Sequence, residues 1–141
     1  MEIQNNTTIT VENTIKARVE KVWKYWIGPE HIQQWNNASD DWHTPHAEND
    51  LQVGGKFLSR MEARDGSFGF DFSGVYDAIK VNEYIAYTTD DGRKVSITFS
   101  GQENQTKLVE TFEAETTHSI DIQKGGWQAI LKNFKKYTEA H

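Results

Sequence analysis

The sequence contains no cysteine among its 141 residues. This absence excludes a disulfide scaffold, thiol catalysis and any metal site built on cysteine ligands. Long apolar runs are also missing, and no stretch approaches the roughly 18 apolar residues of a membrane span. The N-terminal segment MEIQNNTTIT has no basic region followed by an apolar one. We therefore expect no signal peptide and a cytoplasmic protein.

Positive charge is scarce as well, because 15 Lys and Arg face 21 Asp and Glu, which gives a net charge of −6. Such a chain lacks the basic footprint that binds phosphate backbones, so we expect no nucleic-acid partner. The sequence also has no Gly-x-Ser-x-Gly elbow, phosphate-binding glycine loop, dinucleotide fingerprint or His-Glu-x-x-His motif. It therefore predicts no cofactor and favours a binding protein over an enzyme.

Aromatic residues, in contrast, are abundant, with five Trp, seven Phe and five Tyr. These side chains carry the largest apolar areas, so we expect a core rich in aromatics. The length is common for one domain, and the sequence shows no linker, internal repeat or low-complexity segment. We therefore predict that residues 1–141 form a single domain.

The first third of the chain predicts one strand and two short helices. Apolar and polar residues alternate over residues 9–15, which is typical of a half-buried strand. Apolar residues then follow helical spacing over residues 19–27, and Pro29 suits the first turn of a second short helix. Residues 36–50 are polar and predict loops, with a possible strand around Trp42.

Beyond residue 50 the apolar pattern has a period of two and predicts a series of strands. Asp65-Gly66 is a hairpin turn signal, and Asp90-Asp91-Gly92 marks another turn. Strands joined by short turns form an antiparallel meander whose apolar face must be covered. Only the C-terminal helical segment is long enough to cover it. The predicted class is therefore α+β, with about six or seven strands and a long C-terminal helix.

Several segments together resemble one known family. They are LQVGGKFLSRMEARDGS, FDFSGVYDAI and GWQAILKNFKKY, and the similarity spans nearly the whole chain. They are similar to the homologues of the activator of the ninety-kilodalton heat-shock chaperone's ATPase, within the START-like or helix-grip superfamily. The resemblance implies a curved antiparallel sheet that grips the long helix, a cavity between them, and a link to stress response. Superfamily members include ligand carriers, polyketide cyclases and chaperone regulators, so the fold alone does not select an activity.

The implied cavity has candidate lining residues on the inward faces of the strands and of the long helix. The predicted ligand-binding residues are Phe57, Ser59, Met61, Phe70, Phe72, Tyr76, Tyr87, Ile97, Phe99, Trp127 and Leu131. An apolar cleft with a few polar groups is typical of small-molecule sites. The alternative is a filled core, because a helix on a sheet needs these same residues in order to fold.

Two adjacent glycines, Gly125 and Gly126, precede Trp127 in the long helix. Each costs roughly 1 kcal/mol in a helix interior relative to alanine. Three interpretations remain open. The glycines form a turn before the helix, they allow close backbone packing, or they keep the mouth of a pocket open.

Glu110 is a weak catalytic candidate among the titratable residues. It lies between Leu108 and Phe112 on one face of a predicted strand. If that face is inward, burial raises the pKa of the carboxyl, as is common for general bases. If it is outward, Glu110 is an ordinary surface residue.

Two further groups of polar residues predict no chemistry. His43 and His46 are three residues apart, which in an extended segment gives no metal-binding geometry, so we predict no metal site. Arg60 alternates with inward residues and is expected on the surface.

Three functional hypotheses follow from these observations. The first is binding of a small apolar or aromatic ligand, such as a lipid, polyketide or flavonoid, between sheet and helix. The second, implied by the resemblance, is a protein-interaction module that regulates a chaperone ATPase. The third is a cyclase- or hydrolase-type enzyme that uses Glu110 and a tyrosine.

Overall fold

The structure, a computed structural model, describes residues 7–141. The N-terminal segment on which the signal-peptide prediction rests lies partly outside this range. The elements are β1 (Thr8–Ile15), α1 (Val19–Ile27), α2 (Pro29–Trp35), β2 (Trp42–Asn49), β3 (Lys56–Ala63), β4 (Gly69–Lys80), β5 (Tyr84–Thr89), β6 (Lys94–Gln102), β7 (Gln105–Glu113) and α3 (Ile120–Ala140). The α+β class and the order of elements predicted from the sequence are confirmed.

One antiparallel sheet contains seven strands in the order β1-β7-β6-β5-β4-β3-β2. Strands β2 to β7 form the predicted meander. Strand β1 pairs with β7, so that Ile9 lies opposite Phe112 and Val11 lies opposite Glu110. No local sequence pattern predicts this pairing, because the two strands are far apart along the chain.

The segment before β3 is more regular than the sequence predicts. Residues 42–49, predicted as loops with a possible strand, form the complete edge strand β2. The register between β2 and β3 shifts between His43 and His46, and Pro45 lies within this irregularity. Proline has no backbone N–H to donate to a neighbouring strand. It is therefore tolerated in an edge strand or at a bulge.

Helix α3 begins at Ile120, well before the start near Trp127 that the turn interpretation of the glycines requires. The Ser119 hydroxyl caps the helix by accepting a hydrogen bond from the Ile122 backbone N–H at 3.1 Å. Gly125 and Gly126 therefore lie inside the helix, and the turn interpretation is wrong. A Cβ atom on either glycine would meet nothing within 4 Å, so the close-packing interpretation is wrong as well.

The open space beside the glycines leads to a stability prediction. Gly125→Ala and Gly126→Ala should each raise the free energy of unfolding by up to about 1 kcal/mol, because alanine favours the helix and meets no neighbour. Urea unfolding followed by circular dichroism measures this change. Gly74→Ala is the contrasting control. The new Cβ would lie 2.5 Å from the Thr88 carbonyl oxygen, so this substitution should lower the free energy of unfolding. A loss of stability in both helical variants would contradict the prediction.

The core lies between the sheet and the three helices. Leu131 and Phe134 on α3 are fully buried, as their helical spacing predicts. The Phe134 ring meets the rings of Trp26 and Trp35 edge to face, with centroids 4.9 Å apart in each case. Helices α1 and α2 therefore pack against the C-terminal half of α3. No helix within residues 7–141 is both long and apolar enough to cross a membrane.

Candidate functional site

A cavity of about 480 Å³ lies between the sheet and the N-terminal half of α3. Most of its wall is apolar. The aromatic residues of this wall are Trp26, Trp35, Trp42, Phe57, Phe70, Phe72, Tyr76, Tyr87 and Trp127. The volume is within the range of roughly 300–1,000 Å³ that small-molecule sites occupy.

Most of the predicted binding residues line this cavity. They are Phe57, Ser59, Met61, Phe70, Phe72, Tyr76, Tyr87 and Trp127. Ile97, Phe99 and Leu131 are fully or almost fully buried in the core and do not line it. The Phe99 ring instead packs on Trp23, with centroids 5.1 Å apart. We therefore correct the candidate site by removing these three residues.

Trp127 forms the helix side of the cavity and is held by two aromatic contacts. Its indole stacks on the Phe112 ring with centroids 3.9 Å apart and an angle of 12° between the planes. The Phe72 ring meets it edge to face at 6.1 Å. Gly126, the preceding residue, also lines the cavity, whereas Gly125 is exposed and does not. Of the three interpretations of the glycine pair, only an open pocket agrees with this geometry, and only for Gly126.

Glu110 is a carboxyl in the mostly apolar wall of the cavity. On the sheet it is flanked by Val11 and Ile97, which are both buried, and its own exposure is 4%. The carboxyl lines the cavity, and within residues 7–141 no hydrogen bond to it is found. Desolvation by burial raises the pKa of Glu110 from 4.5 to about 8. The surface interpretation of Glu110 is therefore wrong, and the inward one is correct.

Two tyrosines share the cavity with Glu110 but differ in their hydrogen bonding. The Tyr76 hydroxyl donates to Asn49 Oδ1 at 2.6 Å. The Tyr87 hydroxyl has no hydrogen-bond partner among the described residues. Burial first, and then the nearby Glu110 charge, raise the pKa of Tyr87 well above its ordinary value. The Tyr87 side chain therefore contributes a neutral phenol to the cavity wall.

The other charged groups in the wall have protein partners. Arg93 Nε donates to Asp91 Oδ2 at 2.9 Å. Glu48 Oε2 lies 2.7 Å from His46 Nε2. Glu115 accepts a hydrogen bond from the His118 backbone N–H, which helps to hold the pKa of Glu115 below its usual range. These groups already have partners within the chain, in contrast to Glu110.

The residues for which the sequence predicts no chemistry lie away from the cavity wall. Arg60 donates to Glu62 at 2.9 Å and to Asp71 at 3.3 Å, and all three side chains are partly exposed. His43 lies 3.9 Å from Glu62. Within residues 7–141, no group of three or more His, Asp or Glu is gathered in a way that would hold a metal ion.

Gln123 is a wall residue that sequence reasoning missed. Its amide oxygen accepts from the Glu115 backbone N–H at 2.8 Å, and its amide nitrogen donates to the carbonyl oxygens of Glu115 and His118. The side chain thus fixes the connection between β7 and α3 at the cavity. The available signal was a polar residue one turn before Trp127, on the inward side of the helix.

Comparison with known proteins identifies the relatives of this chain. A search of curated proteins found no match. Among solved structures, the AHSA1-like protein from Aeromonas hydrophila is 44% identical, with a TM-score of 0.89 over 95% of this chain and 93% of its own. Chr148 from Cytophaga hutchinsonii is 53% identical, with a TM-score of 0.82 over 94% and 92%.

A more distant structure shares the fold alone. CV1439 from Chromobacterium violaceum is 23% identical, with a TM-score of 0.85 over 94% of this chain and 98% of its own.

The family model described as "Activator of Hsp90 ATPase homolog 1-like protein" matches residues 16–139. The match spans nearly the whole chain and agrees with the helix-grip architecture, so this chain belongs to the family of activator of Hsp90 ATPase homolog 1-like proteins.

Proposed function

We propose that the chain binds a small apolar or aromatic ligand in the cavity between the sheet and α3. The observation that carries this proposal is the open volume of about 480 Å³ beside an aromatic wall. A helix packed on a sheet needs no such space in order to fold, because protein interiors are otherwise close-packed. The ligand would gain affinity by burying its apolar surface, at roughly 25 cal/mol per Å² before the costs of ordering.

This proposal is tested by measuring the melting temperature of the protein with and without each member of a ligand panel. The panel contains fatty acids, sterols, flavonoids and polyketide-like aromatics. A ligand that binds only the native state stabilises it by about 2.7 kcal/mol at a hundredfold excess over its dissociation constant. For a domain of this size we expect the midpoint to rise by several degrees, and only for one chemical class. A panel without any rise would contradict the proposal.

A pair of leucine variants locates the binding site. Gly126→Leu should fill part of the cavity and abolish the ligand-induced rise, because this glycine lines the wall. Gly125→Leu adds the same side chain one residue away, at an exposed position outside the wall, and should keep the rise. A Cβ atom at either position would meet no atom within 4 Å, so both variants should fold. A full ligand response in Gly126→Leu would place the ligand elsewhere.

Regulation of a chaperone ATPase is the second candidate, and an exposed aromatic cluster favours it. The rings of Trp42, Phe68 and Phe70 lie about 6 Å apart, and Phe68 and Phe70 are 62% and 40% exposed. Exposed aromatic groups of this kind are common in protein interfaces. Chaperone ATPase rates measured with the wild type and with Phe68→Ser test this candidate. Equal rates with and without the wild type would reject it.

The enzymatic hypothesis depends on Glu110, which lines the cavity. A carboxyl whose pKa is raised to about 8 is suited to proton transfer near neutral pH. However, Glu110 makes no hydrogen bond to a nucleophile or to a second acid–base group within the described part of the chain. Ligand binding is therefore the function that this geometry supports best.

A further inference from the structure

Glu110 is the feature of the cavity that simple apolar binding does not use. A buried polar group without a partner costs free energy, and native proteins retain few of them. Its neighbours in register, Val11 and Ile97, have no polar side-chain atoms to offer. In this position a leucine would pack with the same neighbours and carry no such cost. Among the described residues the carboxyl has no hydrogen-bond partner, so the open cavity that it lines is where a partner can reach it.

The position of Glu110 directs it toward the cavity. Its exposure is 4%, and it belongs to the wall that Trp127 and Tyr87 also form. Because the carboxyl lines an open cavity, water has access to it when no ligand is bound. A ligand that fills the cavity displaces this water and must replace its hydrogen bonds, because otherwise the carboxyl is left buried and unpaired.

The chemistry of the wall selects among possible ligand groups. Among the described residues of the wall, the basic side chains are Arg93, already bonded to Asp91, and His118, which lies 3.2 Å from Glu115, so a ligand anion finds no free partner there. A ligand ammonium would require an ionised Glu110, and two charges would then lose their hydration inside an apolar wall. A neutral hydroxyl avoids both costs. It accepts from a protonated carboxyl and donates to the carbonyl oxygen or to the carboxylate, so it suits either protonation state.

A second group in the same wall supports this choice. The Tyr87 hydroxyl has no partner among the described residues, and it is also neutral. Strand β6 alone separates the strands that carry Tyr87 and Glu110. The cavity thus offers at least two neutral hydrogen-bonding groups, those of Glu110 and Tyr87, on a mostly apolar wall.

We infer that Glu110 selects a neutral ligand whose apolar or aromatic body carries a hydroxyl group, and that this hydroxyl binds the Glu110 carboxyl. This inference rests on the proposed ligand-binding function and names the chemistry of the ligand at that site. A site built to hydrogen-bond a hydroxyl discriminates strongly against an analogue that lacks it.

Two probes of nearly the same size test the inference: 2-naphthol, which carries a hydroxyl, and 2-methylnaphthalene, which carries a methyl group in its place. Chemical shifts in ¹H–¹⁵N spectra of the full chain give the dissociation constant of each probe. We expect the wild type to bind 2-naphthol about tenfold more tightly, because the methyl compound leaves Glu110 unpaired.

Two substitutions at Glu110 isolate its contribution. Glu110→Leu removes the hydrogen-bonding group and should reverse the preference, so that 2-methylnaphthalene binds more tightly. Glu110→Gln keeps a donor and an acceptor and should retain the preference for 2-naphthol within a few fold. Comparing the ratio of the two constants between variants cancels the different hydration of the probes.

The outcomes separate the inference from the function on which it rests. If both probes bind the wild type equally, or if Glu110→Leu keeps the preference, the inference is overturned while ligand binding stands. If neither probe binds, the inference is overturned, and the proposed function is contradicted as well only if the ligand panel also raises no melting temperature.

Discussion

Trp127→Ala is expected to lower the free energy of unfolding by about 3 kcal/mol, the lower end of the range for removing a large aromatic side chain. The indole stacks on Phe112 at 3.9 Å and meets Phe72 at 6.1 Å, so its loss removes packing from both the sheet and the helix. The lower end applies because Trp127 borders an existing cavity and is only partly buried. Urea unfolding, monitored by far-ultraviolet circular dichroism, measures the change.

Trp42→Ala is the matched control for this substitution. Trp42 lies on the edge strand β2, and its ring contacts Phe68 and Phe70, which are both exposed. Its removal should cost only about 1 kcal/mol, since little buried packing is lost. Equal losses for the two tryptophans would contradict the central position that the structure gives to Trp127. Trp127→Ala should also weaken any ligand that the cavity binds, because it removes one wall.

The stability of the protein should fall as the pH rises from about 5 to about 8, because of Glu110. Burial raises the pKa of Glu110 from 4.5 to about 8 in the folded state. The unfolded chain therefore releases this proton at lower pH than the folded chain does. The contribution of the neutral carboxyl is complete below the unfolded pKa and is lost as the pH rises through the folded pKa. The total loss is roughly 5 kcal/mol, because each unit of the shift corresponds to about 1.4 kcal/mol.

Glu110→Gln should remove this part of the pH dependence. The amide is similar in size and does not ionise, so at pH 8 the variant should be more stable than the wild type by about 4 kcal/mol. Near pH 4 the two proteins should differ little. Urea midpoints measured at intervals between pH 4 and pH 9 give both curves.

A control carboxylate separates Glu110 from the general charge of the protein. Glu12 on β1 is exposed and lies 3.7 Å from Lys107. Glu12→Gln should leave the slope between pH 5 and pH 8 close to that of the wild type. If the two glutamine variants have the same slope, Glu110 is not the source of the effect.

Local patterns in the sequence were sufficient for most of the secondary structure. The helical spacing of α1 and the alternation in β6 and β7 each depend on residues close along the chain. The same alternation places Glu110 with Leu108 and Phe112 on the inward face. It left the direction of that face open, because a polar residue between two apolar ones fits either a buried or an exposed position.

Long-range features were beyond this kind of reasoning. Period-two patterns identify the face of a strand but not how deeply each residue lies under the helix, so Tyr87 and Ile97 were indistinguishable as wall candidates. Tyr87 lines the cavity, whereas Ile97 lies beneath the helices in the core. The start of α3 was hidden for a similar reason. Two adjacent glycines predict a break in the helix. The Ser119 cap and the Gln123 hydrogen bonds instead stabilise the first turns of α3, before the glycines.

The pairing of β1 with β7 constrains how the protein folds during its synthesis. Thr8 lies opposite Glu113, so β1 has no partner strand until the ribosome has released almost all of the sheet. The helix that covers the aromatic face follows β7 along the chain. Contacts between such distant segments slow folding, and apolar surfaces exposed in the meantime promote aggregation. The nascent chain therefore exposes the aromatic wall of the cavity before α3 covers it.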